Sequence, residues 1–68
     1  MVDPKHYTYR VIWSEEDQEF VGLCAEFPSL SHLDEGQAEA LSGITQLVAD
    51  IVTDMQASGE APPQPIAD

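Results

Sequence analysis

The chain has 68 residues, of which 13 are acidic and 2 basic, so its formal net charge is −11 at pH 7. Both basic residues, Lys5 and Arg10, lie in the first ten positions. A surface this acidic repels nucleic-acid phosphates and anionic lipid, and it attracts basic proteins. The composition therefore excludes direct nucleic-acid binding and favours a small binding module for a cationic protein.

The length and the cysteine content limit how the fold can be stabilised. A domain of this size buries only about 60% of the surface that its unfolded chain exposes. Cys24 is the only cysteine, which rules out an internal disulfide and a paired-cysteine zinc site. No apolar run approaches the roughly 18 residues of a membrane span, and the N-terminus does not resemble a signal peptide. We expect a cytoplasmic protein without membrane association, supported by oligomerisation or by a partner subunit.

The first half of the chain predicts an antiparallel sheet. Residues 7–13 are rich in aromatic and β-branched side chains, and residues 19–26 follow after a short polar turn. Such a short connection indicates a hairpin. Pro28 then interrupts the pattern, because proline cannot donate to a central ladder. Residues 30–33 are a candidate third strand.

The second half predicts one long helix. Apolar residues recur at helical spacing over positions 40–55. Asp34 is predicted as the N-cap, with Gln37 completing a capping-box-like pair. Gly59 and the prolines after it end the helix. Gly43 lies inside the helix, where it permits a close approach to another backbone.

The element order predicts an α+β fold, βββα, in which a three-stranded antiparallel sheet packs against one long helix. The predicted domain covers residues 1–60, and a proline-rich tail follows over residues 61–68. A helix of some 20 residues is about 30 Å long, whereas a seven-residue strand spans about 23 Å. The distal helix should therefore overhang the sheet. One helix also leaves one of the two apolar sheet faces uncovered.

Uncovered apolar surface of this kind predicts a homo-oligomer, since contiguous exposed apolar patches usually mark interfaces. The overhanging end of the helix is the first candidate for that interface. Its expected residues are Val48, Ile51, Val52 and Met55. The uncovered sheet face is the second candidate.

Two side-chain combinations are candidates for a catalytic or metal site. His32 and Asp34, beside Glu35, could face one metal ion, but a metal site normally needs three or four ligands. Helix capping accounts for the two carboxylates without a metal. Cys24 could act as a nucleophile, but a small thiol in a strand is ordinarily a core residue. We therefore predict no enzyme activity, no metal and no cofactor.

Four carboxylates cluster at or beside the predicted hairpin turn: Glu15, Glu16, Asp17 and Glu19. The spacing lacks the glycine-bearing loop of a calcium site, so a solvated turn is the default interpretation. The same cluster would also serve as an electrostatic docking patch for a basic protein. Trp13, with Tyr7 and Tyr9, fits equally well as a binding stripe or as core beneath the helix.

Four segments in order form a recognisable pattern: YRVIWSEED at 9–17, EFVG at 19–22, FPSLS at 27–31 and EALSGI at 39–44. They correspond to a strand, an acidic turn, a strand ending near proline, a short strand and a helix. This pattern resembles the HicB antitoxin family over about residues 7–66. Each motif is short, and their order and spacing together carry the resemblance.

The resemblance implies a partial ribonuclease-H-like fold and the antitoxin role of a type II toxin–antitoxin pair. The usual partner in that family, HicA, is a small basic mRNA-cleaving toxin with a fold like that of double-stranded-RNA-binding domains. The sequence departs from the family at Ser29, where many members have glycine. It also ends at Asp68, where many members continue into a DNA-binding domain, so operator binding is not implied.

These observations predict a non-catalytic, antitoxin-like module that neutralises a basic HicA-like toxin. The residues expected to contact the toxin are Trp13, Glu15, Glu16, Asp17, Glu19 and Glu26. The alternative is an orphan, self-assembling structural protein of the same fold with no toxin partner. A neighbouring gene for a small basic protein that copurifies with this chain would distinguish the two.

Overall fold

The structure, a computed structural model, describes residues 3–66. Its elements confirm the α+β fold and the order βββα. They are a short 3₁₀ turn (Pro4–His6) and then β1 (Tyr9–Ser14), β2 (Glu19–Cys24), β3 (Ser31–Asp34) and α1 (Gln37–Ala57). The sheet is an antiparallel meander in the order β1-β2-β3, because each connection is too short for a crossover.

The strands are shorter than the sequence predicts at the ends that meet the N-terminal segment. β1 begins at Tyr9 rather than at residue 7, since the 3₁₀ turn directs Tyr7 into the core instead. β2 ends at Cys24 rather than at residue 26, because the Phe27 N–H donates to the Cys24 carbonyl at 3.1 Å and turns the chain. The hairpin register places Trp13 opposite Phe20.

α1 lies on the sheet face formed by alternate residues of the three strands. Its buried residues are spaced four apart along one stripe: Ala40, Ile44, Val48 and Val52. The backbones of helix and sheet approach each other at Gly22, where an added Cβ would lie 2.5 Å from the Ala40 carbonyl oxygen and 2.8 Å from Ile44 Cγ2. No helix within residues 3–66 is both long and apolar enough to cross a membrane.

The sequence predicts a close backbone approach at Gly43, but the structure has this approach at Gly22 instead. A Cβ at Gly43 would collide with the imidazole of His32, so the helix glycine makes room for a side chain and not for a backbone. The close backbone approach belongs to Gly22, in the central strand. Glycine at this position therefore sets how near the helix lies to the sheet.

The predicted helix N-cap is wrong. The residue at the cap position is Gly36, and it makes no side-chain capping hydrogen bond. Asp34 is instead the last residue of β3, paired opposite Phe20. Its Oδ1 accepts from the Gly36 N–H at 3.5 Å. The chain needs two further residues after β3 to turn into the helix, which moves the cap beyond the acidic side chain.

The distal half of α1 is covered by the chain itself. Val48 is fully buried and Val52 nearly so within the single chain, so assigning these two residues to an oligomer interface is wrong. The N-terminal 3₁₀ segment and the β2–β3 connection supply the covering groups. Ile51 and Met55 are half-buried, and their part in an interface stays a prediction. The residues of this core, including those packed at its edge, are Tyr7, Tyr9, Cys24, Phe27, Leu30, Ile44, Leu47, Val48 and Val52.

We expect Gly22→Ala to lower the free energy of unfolding by about 1–3 kcal/mol, because the new methyl group would overpack the contact with Ala40 and Ile44. Chemical denaturation followed by circular dichroism measures the change. In an unobstructed strand the same substitution would stabilise the protein by roughly 0.4–1 kcal/mol. A variant as stable as the parent, or more so, would contradict the close packing described here.

Candidate functional site

The turn between β1 and β2 holds its carboxylates in a defined arrangement. Ser14 Oγ donates to Asp17 Oδ2 at 2.9 Å and accepts from the Asp17 N–H at 3.3 Å. Gln18 adopts the left-handed conformation, with φ of 55°, that reverses the chain. Its side-chain amide donates to the Glu15 carbonyl at 2.6 Å, which helps to offset the cost of that conformation. Glu15, Glu16 and Asp17 are all exposed.

Trp13 stands beside this acidic turn. Its side chain is 48% exposed, and its ring meets Phe20 edge to face at a centroid distance of 5.1 Å. The indole Nε1–H donates to Glu15 Oε2 at 2.7 Å. That hydrogen bond is the main cause that lowers the pKa of the Glu15 carboxyl, and the nearby amide of Gln18 adds to the effect, so the charged form is favoured. An exposed aromatic surface and an ionised carboxylate therefore lie side by side.

The three aromatic residues of the first segment do not act as one group. Tyr7 is buried in the core, and its hydroxyl donates to the Pro63 carbonyl at 2.7 Å. Tyr9 is half-buried, and its hydroxyl donates to the Pro4 carbonyl at 2.7 Å. Burial raises the pKa of Tyr9 to about 12. Both tyrosines hold the chain ends against the domain, which leaves Trp13 as the aromatic residue at the surface of the turn.

Glu19 lies next to the turn but on the opposite side of the sheet from Trp13. It is the first residue of β2, pairs with Ser14 and is half-buried. The two-residue alternation of β2 places Glu19 with Val21 on the face away from the helix, because Gly22 faces the helix. The predicted contact residues are thus divided between the two sides of the hairpin.

Glu26 is not part of the acidic turn. It follows β2 at the other end of the strand, where its carboxylate accepts from the Thr8 N–H at 2.9 Å and from the Ile66 N–H at 2.8 Å. Burial alone would raise the pKa of this carboxyl, but the two N–H donors outweigh that effect and the pKa falls below its usual value. The carboxylate joins both chain ends to the sheet, and its contact with a partner stays a prediction.

This role of Glu26 is not evident from the sequence. Thr8 lies 18 positions away in the chain, and Ile66 lies 40 positions away. Almost any residue can supply a backbone N–H, so the residue types at positions 8 and 66 do not reveal that they bind a carboxylate. No local motif could therefore have identified these contacts.

The other chemically active side chains are isolated or buried. His32 Nε2 lies 3.5 Å from Asp34 Oδ2, at the edge of the helix–sheet contact. Over residues 3–66, no three histidine, cysteine, aspartate or glutamate side chains come together in a group that could hold a metal ion. Cys24 is a buried free cysteine, and desolvation raises the pKa of its thiol. A raised pKa disfavours the nucleophilic thiolate.

Comparison of the chain with protein-family models, with curated proteins and with solved structures finds no match. Function must therefore be inferred from the described residues and from the pattern of the sequence. Among those residues, the acidic turn with Trp13 is the candidate site that combines exposure, charge and fixed geometry.

We expect Glu26→Gln to destabilise the fold by about 1 kcal/mol at neutral pH, because a neutral amide is a weaker acceptor for the Thr8 and Ile66 N–H groups. Because folding lowers its pKa, the Glu26 carboxyl stabilises the folded state at pH values above the usual carboxyl pKa. This stabilisation is lost as the pH falls through the lowered pKa. The difference between the parent and the variant should therefore shrink on acidification below about pH 4.

Thermal unfolding at several pH values measures this effect. Glu16→Gln is the matched control, since it makes the same substitution at an exposed position of the turn. Equal melting temperatures for the Glu26 and Glu16 variants at neutral pH would contradict the structural role of Glu26.

Proposed function

We propose that this chain is a non-catalytic, antitoxin-like binding module that neutralises a small basic mRNA-cleaving toxin of the HicA type. The observation that carries the proposal is the exposed Trp13 held against Glu15 at the acidic turn. The resemblance of the sequence to the HicB family supports it. That family would also imply a partial ribonuclease-H-like fold. This fold belongs to the proposal, as does the cytoplasmic location that the composition predicts.

The charge of the chain suits a cationic partner. With a formal net charge of −11, it attracts a basic protein over distances comparable to the Debye length, about 8 Å at physiological salt. The exposed carboxylates of the turn project at one end of the hairpin. They would therefore meet an approaching partner early and would raise the association rate more than the final affinity.

Trp13 would supply the apolar part of the contact. Tryptophan is enriched among the residues that dominate binding energy, particularly where polar groups surround it. Phe20 supports one side of the ring, and the bond to Glu15 fixes its orientation. A ring held in this way loses little conformational freedom on binding.

Neutralisation would follow from competition for the same cationic surface. A ribonuclease binds RNA largely through basic groups that contact phosphates. Carboxylates on the turn would pair with those groups and would exclude the RNA from them. This mechanism requires no catalytic residue in the binding module.

To test the proposal, we would neutralise the turn with Glu15→Gln, Glu16→Gln and Asp17→Asn together. If a small basic protein is encoded beside this gene, we expect the variant to bind it about tenfold to hundredfold more weakly than the parent does, with a weaker dependence on salt. Isothermal titration at two salt concentrations measures both. The amide side chains retain acceptors for the Trp13 and Ser14 hydrogen bonds, so the turn should keep its shape.

The matched control is the triple variant Glu39→Gln, Asp50→Asn and Asp54→Asn, which makes the same change in charge on exposed positions of α1. Equal losses in both triple variants would show a general charge effect and would contradict a binding site at the turn. If no basic protein encoded beside the gene binds the parent chain at all, the antitoxin proposal fails and the self-assembling alternative takes its place.

A further inference from the structure

The sheet face away from α1 carries an uncovered aliphatic row. Ile12 pairs with Val21, and Val21 pairs with Leu33, so these three side chains form a line across all three strands. Ile12 is 45% exposed and Leu33 is 41% exposed, which shows that no element within residues 3–66 covers the two ends of the row. Contiguous aliphatic groups on a rigid sheet are characteristic of an interface.

This open face differs in charge from the rest of the molecule. On one side of the aliphatic row is Arg10, opposite Leu23, and on the other side is Glu19, opposite Ser14. The strand residues of the face therefore include one cation and one anion. The exposed side of α1, in contrast, carries acids such as Glu39, Asp50 and Asp54.

A charge-balanced face does not select a strongly basic partner. Such a partner would meet Arg10 and would gain no net attraction from the face itself. The chemistry of the face instead matches a surface with aliphatic groups between one cation and one anion. The open face itself has that composition.

We propose that the open sheet face binds a second copy of the chain, forming a symmetric dimer by face-to-face packing of the two sheets. The twofold axis lies between the sheets, perpendicular to the strands, and passes along the row of Ile12, Val21 and Leu33. This operation stacks the two aliphatic rows. It also brings Arg10 of each copy over the Ser14–Glu19 end of the other.

The charge on the hairpin turns favours the same axis. A twofold axis perpendicular to the strands places the two acidic turns at opposite ends of the dimer. An axis parallel to the strands would place the turns side by side, where Glu15, Glu16 and Asp17 of the two copies would repel one another. The first arrangement also leaves both turns exposed, so the dimer is independent of the function proposed for the turn.

The size of the face predicts a weak dimer. A six-residue strand is about 20 Å long, and three strands about 4.8 Å apart present a patch smaller than the roughly 800 Å² per partner of a standard interface. We therefore expect a dissociation constant between about 1 μM and 1 mM. Face-to-face sheets would lie about 10 Å apart.

Analytical ultracentrifugation of the purified full chain over that concentration range tests the proposal. We expect Arg10→Glu to weaken dimerisation at least tenfold, because two carboxylates would then face each other at each end. Lys5→Glu is the matched control, since it makes the same change in net charge outside the open face. The double variant Arg10→Glu with Glu19→Arg should restore dimerisation, because it exchanges the two charges without changing their sum.

Leu33→Ser tests the apolar part of the interface, with Leu41→Ser as its control. The two leucines are similarly exposed, at 41% and 44%, but Leu41 lies on α1. Only Leu33→Ser should reduce dimerisation, and circular dichroism should confirm that both variants fold. A parent chain that stays monomeric throughout the range would overturn the proposal. So would a dimer unaffected by Leu33→Ser, or a charge exchange that fails to restore association.

Discussion

The fold depends on close packing between the start of α1 and the central strand. Gly22 brings the backbone of β2 so near the helix that even one methyl group would collide with Ala40 and Ile44. Because the helix lies this low, its single stripe of buried residues can fill the core of a very small domain. One face of the sheet therefore packs against α1 in the core, and the other face is exposed to solvent.

The two sides of the sheet then have different uses. On the helix side, near the turn, Phe20 packs against the Trp13 ring and the Glu15 carboxylate accepts a hydrogen bond from it. The open side carries aliphatic groups between one cation and one anion. A basic partner at the turn and a second copy on the open face would therefore occupy separate surfaces. The net charge of the molecule is −11, but the local charge of each surface determines which of the two partners it suits.

Contacts distant in sequence complete the domain. The Glu26 carboxylate binds backbone N–H groups of Thr8 and Ile66, and the Tyr7 hydroxyl binds the Pro63 carbonyl. Together they join residues 63–66 to the N-terminal segment and to the end of the hairpin that follows β2. The lengths of helix and strands alone predict an uncovered helix end at Val48 and Val52, whereas contacts with the N-terminal segment bury both residues. In a domain of this size the terminal segments help to bury apolar surface, whereas a larger domain would bury it within its core.

The sequence by itself determined the element order, the hairpin, the helix and the acidic turn, because alternation, helical periodicity and turn composition are local properties. Only the tertiary structure decided which residues these elements bury or expose. In the folded chain, the Glu26 carboxylate binds the two terminal segments, and Asp34 is the last residue of β3. Trp13 is exposed, whereas Tyr7 is buried and Tyr9 packs at the edge of the core. These outcomes depend on how close the helix comes to the sheet and on where the termini lie, and neither is encoded in any short stretch of residues.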